Sequence, residues 1–399
     1  MNPKTRVRPM NTTVHWDIVN PEGKFRVVVT KQLPGERWLQ ILTGAGCRVA
    51  MDTGENRLDA AAIEAAFGRR CDAAIGQLTE AWDSRLLRAF KKAGGRVYSN
   101  YAVGFNNVDI TTATACGIPV GNTPGVLTEA TAEMAVALTF AAARRLGEAE
   151  RYLRAGRFRG WLPSLFTGRR IGGKTLGIIG AGRIGEAYAR MMVEGCKMNL
   201  LYYDIHPNRR LSETIARYAA YLKGRGLPPV TCRRTATVEE LLQQADVVSL
   251  HTVLDDNTHH LINAERLGLM KKNAVLINTS RGPVIDEAAL VHHLQTHPDF
   301  RAGLDVFENE PRLAPGLEMR DNAVLLPHIA SATRWTREGM AVLAACNVAA
   351  LISGYPVWNA ADVSPFLTDD PPPAAPSIVN ARDLQLPVYG TGDGLWETP

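Results

Sequence analysis

The chain has 399 residues, of which 46% are hydrophobic and 21% charged, and its formal net charge is +5. This length predicts two domains with ordinary cores. The basic residues are spread along the chain, which argues against a nucleic-acid partner, and no apolar run approaches the ~20 residues that a membrane-spanning helix needs.

The six cysteines are scattered and form neither a C-x-x-C pair nor a cluster with histidine. We therefore expect reduced thiols in an intracellular protein and no bound metal. The first 16 residues contain Lys4, Arg6 and Arg8 and no acidic residue. They resemble a very short transit peptide, and a disordered tail over residues 1–23 explains them equally well.

From residue 24 onward, short apolar runs alternate with helical patterns. The apolar runs are FRVVVT, CRVAM, AAIG and VYS, and the helical segments lie around residues 38–42, 58–67 and 81–93. This rhythm predicts a parallel sheet covered by helices. It ends in the polar, glycine-containing loop of residues 100–109, which is either a ligand-binding turn or a plain strand-to-helix connection.

Residues 128–150 predict one long amphipathic helix that could bridge two domains. Thr128, Glu129 and Thr131 provide capping chemistry at its start. The next stretch, residues 151–173, mixes apolar side chains with arginines and glycines. It is too irregular for a helix and too apolar for a free linker, so we expect it to pack on something, with a second subunit as the candidate.

A glycine-rich turn stands between an apolar run and a helical pattern. Gly180 allows the tight turn, Gly182 lets the backbone approach a pyrophosphate, and Gly185 lets helix and strand pack closely, while the helix N-terminus offers unpaired N–H donors. A second apolar run ends on Asp204, where a carboxylate would accept hydrogen bonds from the adenosine ribose. The stretch predicts a dinucleotide site rather than an ordinary βαβ turn.

Asp204 also bears on the choice of cofactor, because its negative charge would repel the 2′-phosphate of NADP. We expect NAD, with NADH preferred and NADPH as a weaker cofactor. Arg209 and Arg210 lie close enough in the sequence to soften that preference. A solvated loop explains the two arginines equally well.

After Asp204, residues 207–237 are polar and basic and predict an elaboration before the next helix. Four further strands are predicted, and they end near residues 250, 278, 307 and 327. Polar groups lie where these strands end: His251, Asn278 to Arg281, Asp305 and His328. Because parallel strands present their carboxyl ends at one edge, these groups predict a ligand site. A helix over about 335–352 could return the chain to the first domain, and the proline-rich tail from 361 should be extended and poorly structured.

The residue types at this edge suit the reduction of a 2-oxo acid. Arg281 offers a planar cation for a carboxylate, and His328 is a candidate proton donor because imidazole titrates near physiological pH. Glu310 could accept a hydrogen bond from that imidazole and raise its pKa. A turn cap, a buried histidine and a surface acid remain the alternative explanations for the three residues.

Four motifs carry a family resemblance: GIIGAGRIG, NTSRGPVIDEAAL, GLDVFENEP and LPHIASAT. Together they resemble the D-isomer-specific 2-hydroxy acid dehydrogenases over roughly residues 24–387. The segments YAVGFNNVD, GNTPGVLTEATAE and PSIVN resemble, more narrowly, the plant-type NADH-dependent hydroxypyruvate reductases. The resemblance implies an α/β fold of two Rossmann-like domains, each a parallel sheet flanked by helices, with the active site in the interdomain cleft of a homodimer.

The resemblance also implies domain borders and residue roles. We expect a substrate-binding domain from 24 to 126, an NAD-binding domain from 127 to 330, a return of the chain over 331–360 and an extended tail over 361–399. Arg281, Glu310 and His328 match catalytic positions. Ala102, Val103 and Gly104 match a loop whose backbone N–H groups, together with Arg281, hold the substrate carboxylate. The cofactor-contacting positions are Gly180, Gly182, Arg183, Ile184, Gly185, Asp204, Thr279, Asp305, His328 and Ser331.

The activity that the resemblance implies is reduction of hydroxypyruvate to D-glycerate, with glyoxylate to glycolate as a weaker activity, in photorespiration. Two features depart from the plant-type pattern. The chain ends in Trp396-Glu397-Thr398-Pro399 in place of the peroxisomal Ser-Lys-Leu, which leaves mitochondrial, peroxisomal and cytoplasmic locations open. Thr252 and Val253 replace a proline that many relatives carry after His251.

Two other functions remain open on the sequence. One is a related dehydrogenase, for phosphoglycerate or for formate, although a formate enzyme has no use for Glu310. The other is a non-enzymatic scaffold that senses NAD, as in the dehydrogenase-like corepressors. Turnover of a small 2-oxo acid with NADH would separate an enzyme from a scaffold.

Overall fold

The computed structural model describes residues 15–389, which divide into two compact units. Unit 1 contains the described residues up to 126 and those from 334 onward, and unit 2 contains residues 127–333. Along the described chain, no helix has both the length and the apolar character needed to cross a bilayer. The basic residues of the predicted transit-like segment and the last four residues lie outside the described range.

Unit 1 contains a six-stranded sheet with helices packed against it. Its strands are β1 (Trp16–Val19), β2 (Phe25–Val29), β3 (Cys47–Asp52), β4 (Ala73–Gln77), β5 (Val97–Tyr101) and β6 (Val120–Gly121). Their order is β1-β3-β2-β4-β5-β6, and all neighbours are parallel except β1 and β3. Residues 16–19, which we predicted to lie in a tail, therefore form an antiparallel edge strand.

The first four helices of unit 1 are α1 (Arg37–Gly44), α2 (Ala60–Phe67), α3 (Ser84–Lys92) and α4 (Ile110–Ala115). Three of them follow an aspartate, Asp59, Asp83 or Asp109, whose side chain accepts a backbone N–H of the first turn. Such a cap satisfies a donor that has no partner within the helix, which explains where these helices begin.

Unit 2 is built on a seven-stranded parallel sheet. Its strands are β7 (Thr175–Ile179), β8 (Asn199–Tyr203), β9 (Cys232–Arg234), β10 (Val247–Leu250), β11 (Val275–Asn278), β12 (Arg301–Leu304) and β13 (Ala323–Leu325). Their order is β13-β12-β11-β10-β7-β8-β9. The helices are α5 (Thr128–Ala143), α6 (Leu146–Arg154), α7 (Arg183–Cys196), α8 (Arg209–Gly224), α9 (Val238–Gln244), α10 (Ala264–Leu269) and α11 (Glu287–Thr296).

Both faces of this sheet are buried, as an all-parallel sheet requires. In β7, Leu176 and Ile178 join the core formed with α5, α7 and α8, whereas Ile179 joins the core formed with α9, α10 and α11. The same alternation holds in β11, where Ile277 and Leu276 face opposite cores. The predicted α/β architecture of two helix-flanked, parallel sheets is confirmed, with β1 as the antiparallel exception.

The single helix predicted over 128–150 is wrong, because α5 and α6 are separate helices. Arg145 lies between them in the left-handed region, with φ of +58°, which interrupts a right-handed helix. Its guanidinium pairs with Glu148 at 2.6 Å and lies over the ring of Phe166. The predicted threonine cap is also wrong, since Leu127 holds the cap position and makes no side-chain cap bond.

The segment 207–237 is more regular than we predicted. It forms α8, which is capped by Asn208 through a 2.8 Å bond from the Leu211 N–H, and the edge strand β9. The polar composition hid a helix because only a narrow apolar face, with Leu211, Ile215 and Leu222, is buried.

After unit 2 the chain continues in unit 1 as α12 (Arg334–Ile352), a mostly buried helix. We predicted that the tail from residue 361 would be poorly structured, and that prediction is wrong. The tail contains a short 3-10 helix at Ser364–Leu367, and Phe366, Ala375 and Asn380 are almost completely buried. Its prolines restrict the backbone, but its few apolar residues are enough to dock it on unit 1.

Candidate active site

The parallel strands of unit 2 bring six loops to one edge of the sheet. Since every strand runs in the same direction, the residues that follow the strands lie together at the carboxyl edge. These residues are Gly180 after β7, Asp204 after β8, His251 after β10, Thr279 to Arg281 after β11, Asp305 after β12 and His328 after β13. The edge gathers most of the side chains that the sequence singled out.

His328 and Glu310 form a hydrogen-bonded pair, with Nδ1 of the imidazole 2.9 Å from Oε2 of the carboxylate. Both side chains are about one quarter exposed. The other oxygen, Oε1, accepts the N–H of Phe307 at 3.0 Å. An ionised carboxylate can only accept, so the proton of this pair sits on Nδ1, which leaves Nε2 of His328 for another partner.

The charge of Glu310 is set by opposing effects on its pKa. Burial raises the pKa, but the hydrogen bond and charge of His328, the Phe307 N–H and the charge of Arg281 outweigh it, so the net shift is downward. Glu310 is therefore ionised at neutral pH. The structure brings Arg281, Glu310 and His328 into one electrostatic cluster.

Arg281 is half-buried and its backbone is held in place. Nδ2 of Asn278 donates to the Arg281 carbonyl at 2.9 Å, and Nη1 of Arg281 donates to the Ser280 carbonyl at 2.7 Å. Burial lowers the pKa of Arg281, while the negative charge of Glu310 opposes that shift. A guanidinium remains charged at neutral pH even so, and its planar fork can bind a carboxylate.

Asp305 anchors the loop that carries His328. Its side chain is fully buried, and its two oxygens accept the N–H groups of Ile329 and Ala330, each at 2.8 Å. Its carbonyl accepts the N–H of His328 at 2.9 Å. Because His328 adopts the left-handed region, with φ of +53°, these bonds hold an otherwise unfavourable backbone. Burial raises the pKa of Asp305, opposed by the two N–H bonds and by His328.

The sequence reasoning missed Glu287, which supports the loop carrying Glu310. Glu287 is buried, and its oxygens accept the N–H groups of Glu308 at 2.7 Å and Ala314 at 3.1 Å. Burial raises the pKa of Glu287, although the two N–H bonds oppose the shift. Its sequence position after the helix cap Asp286 made it look like an ordinary first-turn acid, and only the fold shows that it faces inward.

The glycine turn has the shape that a dinucleotide needs. A Cβ at Gly180 would come within 2.6 Å of the His251 carbonyl, and one at Gly185 within 2.0 Å of the Gly180 carbonyl. A Cβ at Gly182 would meet nothing within 4 Å. Gly180 and Gly185 thus permit the close packing of strand and helix, while Gly182 leaves open space at the start of α7. Arg183 and Ile184 form the first turn of that helix.

Two buried hydroxyls at this edge lack partners. The Oγ1 atoms of Thr252 and Thr279 make no hydrogen bond to any of residues 15–389. A buried polar group without a partner costs free energy, so a bound polar molecule would stabilise it. In the sequence, Thr252 was noted only as a departure from the plant-type pattern. It joins Thr279 as a candidate contact for a bound cofactor.

Ser331, another predicted cofactor contact, is half-buried, and its carbonyl accepts the Thr333 N–H.

Asp204 closes the glycine turn. Its carboxylate accepts the N–H groups of Ala181 at 2.7 Å and His206 at 2.9 Å. Of the two arginines we considered, Arg210 pairs with Glu186 at 2.8 Å, and Arg209 begins α8. Arg234, which the sequence did not single out, donates to the Asp204 carbonyl at 2.8 Å. The open space at Gly182, the orphaned hydroxyls and this carboxylate together fit NAD.

In unit 1, the loop after β5 presents two backbone donors. The Ala102 N–H donates to the Asn100 carbonyl at 2.8 Å, so of the three predicted residues Ala102 already has a partner. The N–H groups of Val103 and Gly104 have none among residues 15–389. Both residues are half-buried. Two adjacent free N–H groups suit an anion such as a carboxylate.

The chain is similar to known proteins over most of its length. Residues 136–330 match the model of the D-isomer specific 2-hydroxyacid dehydrogenase family, NAD binding domain. A glycerate dehydrogenase of Arabidopsis thaliana, described as peroxisomal, is 54% identical over 95% of this chain and 99% of its own. A glyoxylate reductase of Thermococcus litoralis is 42% identical over 76% of this chain and 87% of its own.

The fold is also similar to that of a solved structure. The TT0316 protein of Thermus thermophilus superposes with a TM-score of 0.73 at 37% identity, covering 89% of this chain and all of the other. The likeness extends over both units of the fold, because it covers almost the whole described chain.

Proposed function

The chain belongs to the D-isomer specific 2-hydroxyacid dehydrogenase family and contains the NAD-binding domain of that family, and on this premise we propose that it reduces hydroxypyruvate to D-glycerate with NADH. Glyoxylate, reduced to glycolate, is its second substrate. The observation that carries the proposal is the bond between His328 and Glu310 beside the charge of Arg281. This arrangement presents a proton donor and a carboxylate-binding cation at the edge where the glycine turn fits a dinucleotide.

The residues divide the chemistry between them. Arg281 and the N–H groups of Val103 and Gly104 bind the substrate carboxylate. When bound, the reduced nicotinamide supplies the hydride that reaches the carbonyl carbon. Nε2 of His328 gives its proton to the carbonyl oxygen, so that the keto group gains one hydride and one proton and becomes an alcohol. Glu310 keeps the imidazole oriented and stabilises its positive charge before transfer.

The residues of the glycine turn bind the dinucleotide in this proposal. Gly182, Arg183 and Ile184 would hold the pyrophosphate through their backbone N–H groups and the positive end of the α7 dipole. Asp204 accepts from the adenosine ribose hydroxyls and disfavours a 2′-phosphate, so NADH is the preferred cofactor. Asp305, Thr279 and Ser331 would hold the nicotinamide end of the bound cofactor.

The test is a steady-state comparison of hydroxypyruvate, glyoxylate and pyruvate with NADH and with NADPH. We expect the highest kcat/KM for hydroxypyruvate with NADH, followed by glyoxylate, and a much lower value for pyruvate. Each tenfold preference corresponds to about 1.4 kcal/mol of transition-state binding. Absence of turnover with all three oxo acids would contradict the proposal and leave an NAD-sensing scaffold.

We also propose that the protein is a homodimer that pairs through residues 153–166 of unit 2. Several large apolar side chains of this segment are exposed, including Leu153 (60%), Phe158 (51%), Trp161 (81%) and Leu162 (57%). Of these, Trp161 and Leu162 border a cavity of about 1000 Å³ together with neighbouring residues. Contiguous exposed apolar surface of this kind marks protein interfaces, and a symmetric pair of copies would cover it.

Sedimentation analysis of two variants tests the dimer. Trp161→Arg should shift the protein towards monomer at micromolar concentration, because it places a charge in the apolar contact. Met319→Arg is the matched control, since Met319 is also a highly exposed apolar residue of unit 2 (72%) and lies outside the segment. A wild-type protein that sediments as a monomer contradicts the proposal.

For location, we propose that the protein works inside the cell, where NADH is available and thiols stay reduced. All six cysteines are free in the structure. The Arabidopsis relative is described as peroxisomal. Immunofluorescence with organelle markers would identify the compartment, and a secreted protein would contradict the proposal.

A further inference from the structure

A buried polar network joins the tail of unit 1 to the loop that presents Val103 and Gly104. Its centre is Asn122, which follows β6 and is 7% exposed. Nδ2 of Asn122 donates to the Val103 carbonyl at 2.9 Å. Oδ1 of the same amide accepts the hydroxyl of Ser377 at 2.6 Å. The amide thus links the tail directly to the loop.

The bond to the Val103 carbonyl also determines where an N–H group points. The carbonyl of Val103 and the N–H of Gly104 belong to one planar trans peptide, in which the two groups point in opposite directions. The carbonyl of Ala102, in the same peptide as the Val103 N–H, accepts the N–H of Thr123 at 2.9 Å. Asn122 and Thr123 therefore orient the two free donors of the loop.

The Asn122 amide has only one orientation that satisfies its neighbours. The Val103 carbonyl can only accept, so Nδ2 must face it, and Oδ1 must then face a donor. Ser377 supplies that donor. With Ser377 absent, Oδ1 would be a buried acceptor without this partner, and the amide would lose the contact that holds it in this rotamer.

Further bonds hold Ser377 itself in place. Its N–H donates to Oδ1 of Asn347 at 2.9 Å, and its carbonyl accepts the N–H of Asn122 at 3.2 Å. Nδ2 of Asn347, on α12, donates to the Asn122 carbonyl at 3.0 Å. A Cβ at Gly121 would come within 2.7 Å of Nδ2 of Asn347. The tail, α12 and the loop after β6 are therefore closely packed, and this packing fixes the positions of Ser377 and Asn122.

From these contacts we propose that Ser377 is a positioning residue for substrate binding. It acts through Asn122 on the N–H of Gly104, and it makes the tail part of the substrate site. The inference rests on the proposed role of Val103 and Gly104 in binding the oxo-acid carboxylate. Its expected signature is a weaker affinity for the substrate carboxylate with unchanged affinity for NADH.

Ser377→Ala tests the proposal. KM for hydroxypyruvate should rise about fivefold, the effect of losing one hydrogen bond, while kcat and KM for NADH stay within twofold. Ser377→Thr, which keeps the hydroxyl, should restore KM. Ser364→Ala is the matched control, because Ser364 also lies in the tail and donates its hydroxyl, to Asp362, away from the loop. An unchanged KM in Ser377→Ala, or an equal rise in Ser364→Ala, overturns the proposal.

A second measurement does not need turnover and so separates this proposal from the proposed function. Oxalate binding to the protein with NADH, measured by titration calorimetry, should also weaken about fivefold in Ser377→Ala. Equal oxalate affinity in both proteins overturns the role of Ser377 whether or not hydroxypyruvate is reduced. Should Ser377→Ala fold poorly, Asn122→Asp replaces it, since Asp cannot donate to the Val103 carbonyl and must show the same selective loss.

Discussion

At the scale of single residues, the site depends on carboxylates whose partners are known atom by atom. Glu310 binds the imidazole of His328, Asp305 binds two backbone N–H groups, and Glu287 binds two more. Asp204 binds the turn at Ala181. Each of these acids has a distinct task, so single substitutions should have separable effects.

Glu310→Gln should move the alkaline limb of the pH profile for reduction to lower pH. The carboxylate, whose pKa is lowered by His328, stabilises the charged imidazole in return, and a neutral amide does not. Each pH unit of displacement corresponds to about 1.4 kcal/mol. Glu308→Gln is the control, because Glu308 lies in the same loop as Glu310 but its carboxylate pairs with a different histidine, His260, at 3.0 Å. Coincident limbs for wild type and Glu310→Gln would rule out the coupling.

Arg281→Ala should raise KM for hydroxypyruvate at least tenfold, because a charged bond to the carboxylate is worth roughly 1.5–3 kcal/mol. The dissociation constant of NADH, measured by fluorescence, should change little. KM of Arg281→Lys should lie between those of wild type and Arg281→Ala, since an ammonium keeps the charge but not the planar fork. An unaltered KM would remove Arg281 from the site.

Asp204→Ala should raise the ratio of NADPH to NADH affinity by about tenfold, because it removes the repulsion of a 2′-phosphate and the acceptor for the ribose hydroxyls. Equilibrium binding of both nucleotides measures the ratio directly. Glu213→Ala removes an exposed carboxylate from the neighbouring α8 and should leave the ratio as it is. A constant ratio in Asp204→Ala would place cofactor preference elsewhere.

At the scale of elements, two glycines at the edge of the unit 2 sheet have different roles: Gly282 allows close packing, and Gly182 leaves space for a ligand. A Cβ at Gly282 would overlap the backbone of Phe307, 1.9 Å from its carbonyl carbon. The turn after β11 and the loop after β12 can approach each other only because this residue has no side chain. The same approach brings the chain of Arg281 towards the chain of Glu310.

Gly282→Ala should therefore destabilise the protein by roughly 1–3 kcal/mol, the range for overpacking, and lower Tm. Gly182→Ala should leave Tm nearly unchanged, because its Cβ meets nothing within 4 Å, but should weaken NADH binding by occupying the open space of the turn. Thermal denaturation and NADH titration of both variants check the contrast. The reverse pattern would mean that the turn after β7 does not hold the nucleotide.

At the scale of the whole molecule, buried histidines make the fold sensitive to acid. Burial lowers the pKa of His251 to about 3, and burial together with the charges of His297 and His292 lowers that of His293 to about 4. Both lie below the unfolded value near 6.5. Between those values the unfolded chain binds more protons than the folded one, so stability falls as pH falls from about 6.5 towards 4.

His293→Leu should flatten this dependence, since it removes one group whose protonation lowers the free energy of unfolding by at most about 1.4 kcal/mol per pH unit over that range. His259→Leu is the control, because His259 is an exposed histidine of unit 2 that does not contribute to the lowered pKa of His293. Urea denaturation at pH 4.5, 5.5 and 7.0 measures the slopes. Parallel curves for His293→Leu and wild type would show that His293 does not contribute.

Local patterns were sufficient for much of this fold. The glycine turn, the apolar runs of the buried strands and the polar residues that follow them depend on backbone conformation and periodicity over a few residues, and those are written in the sequence itself. The same reasoning selected His328, Glu310 and Arg281 as candidates, because their residue types suit the reduction of a 2-oxo acid. It failed where polar composition concealed a narrow apolar face, as in α8 and in the tail.

Only the tertiary structure decided what depends on contacts between distant residues. The inward orientation of Glu287 and the placement of Arg234 beside Asp204 depend on partners 20 or more residues away in the chain. The same holds for Ser377, which meets Asn122 across more than 250 residues. A hydrogen bond stabilises a fold only when both partners are brought within about 3 Å, and sequence spacing carries no information on that distance when the partners belong to separate elements.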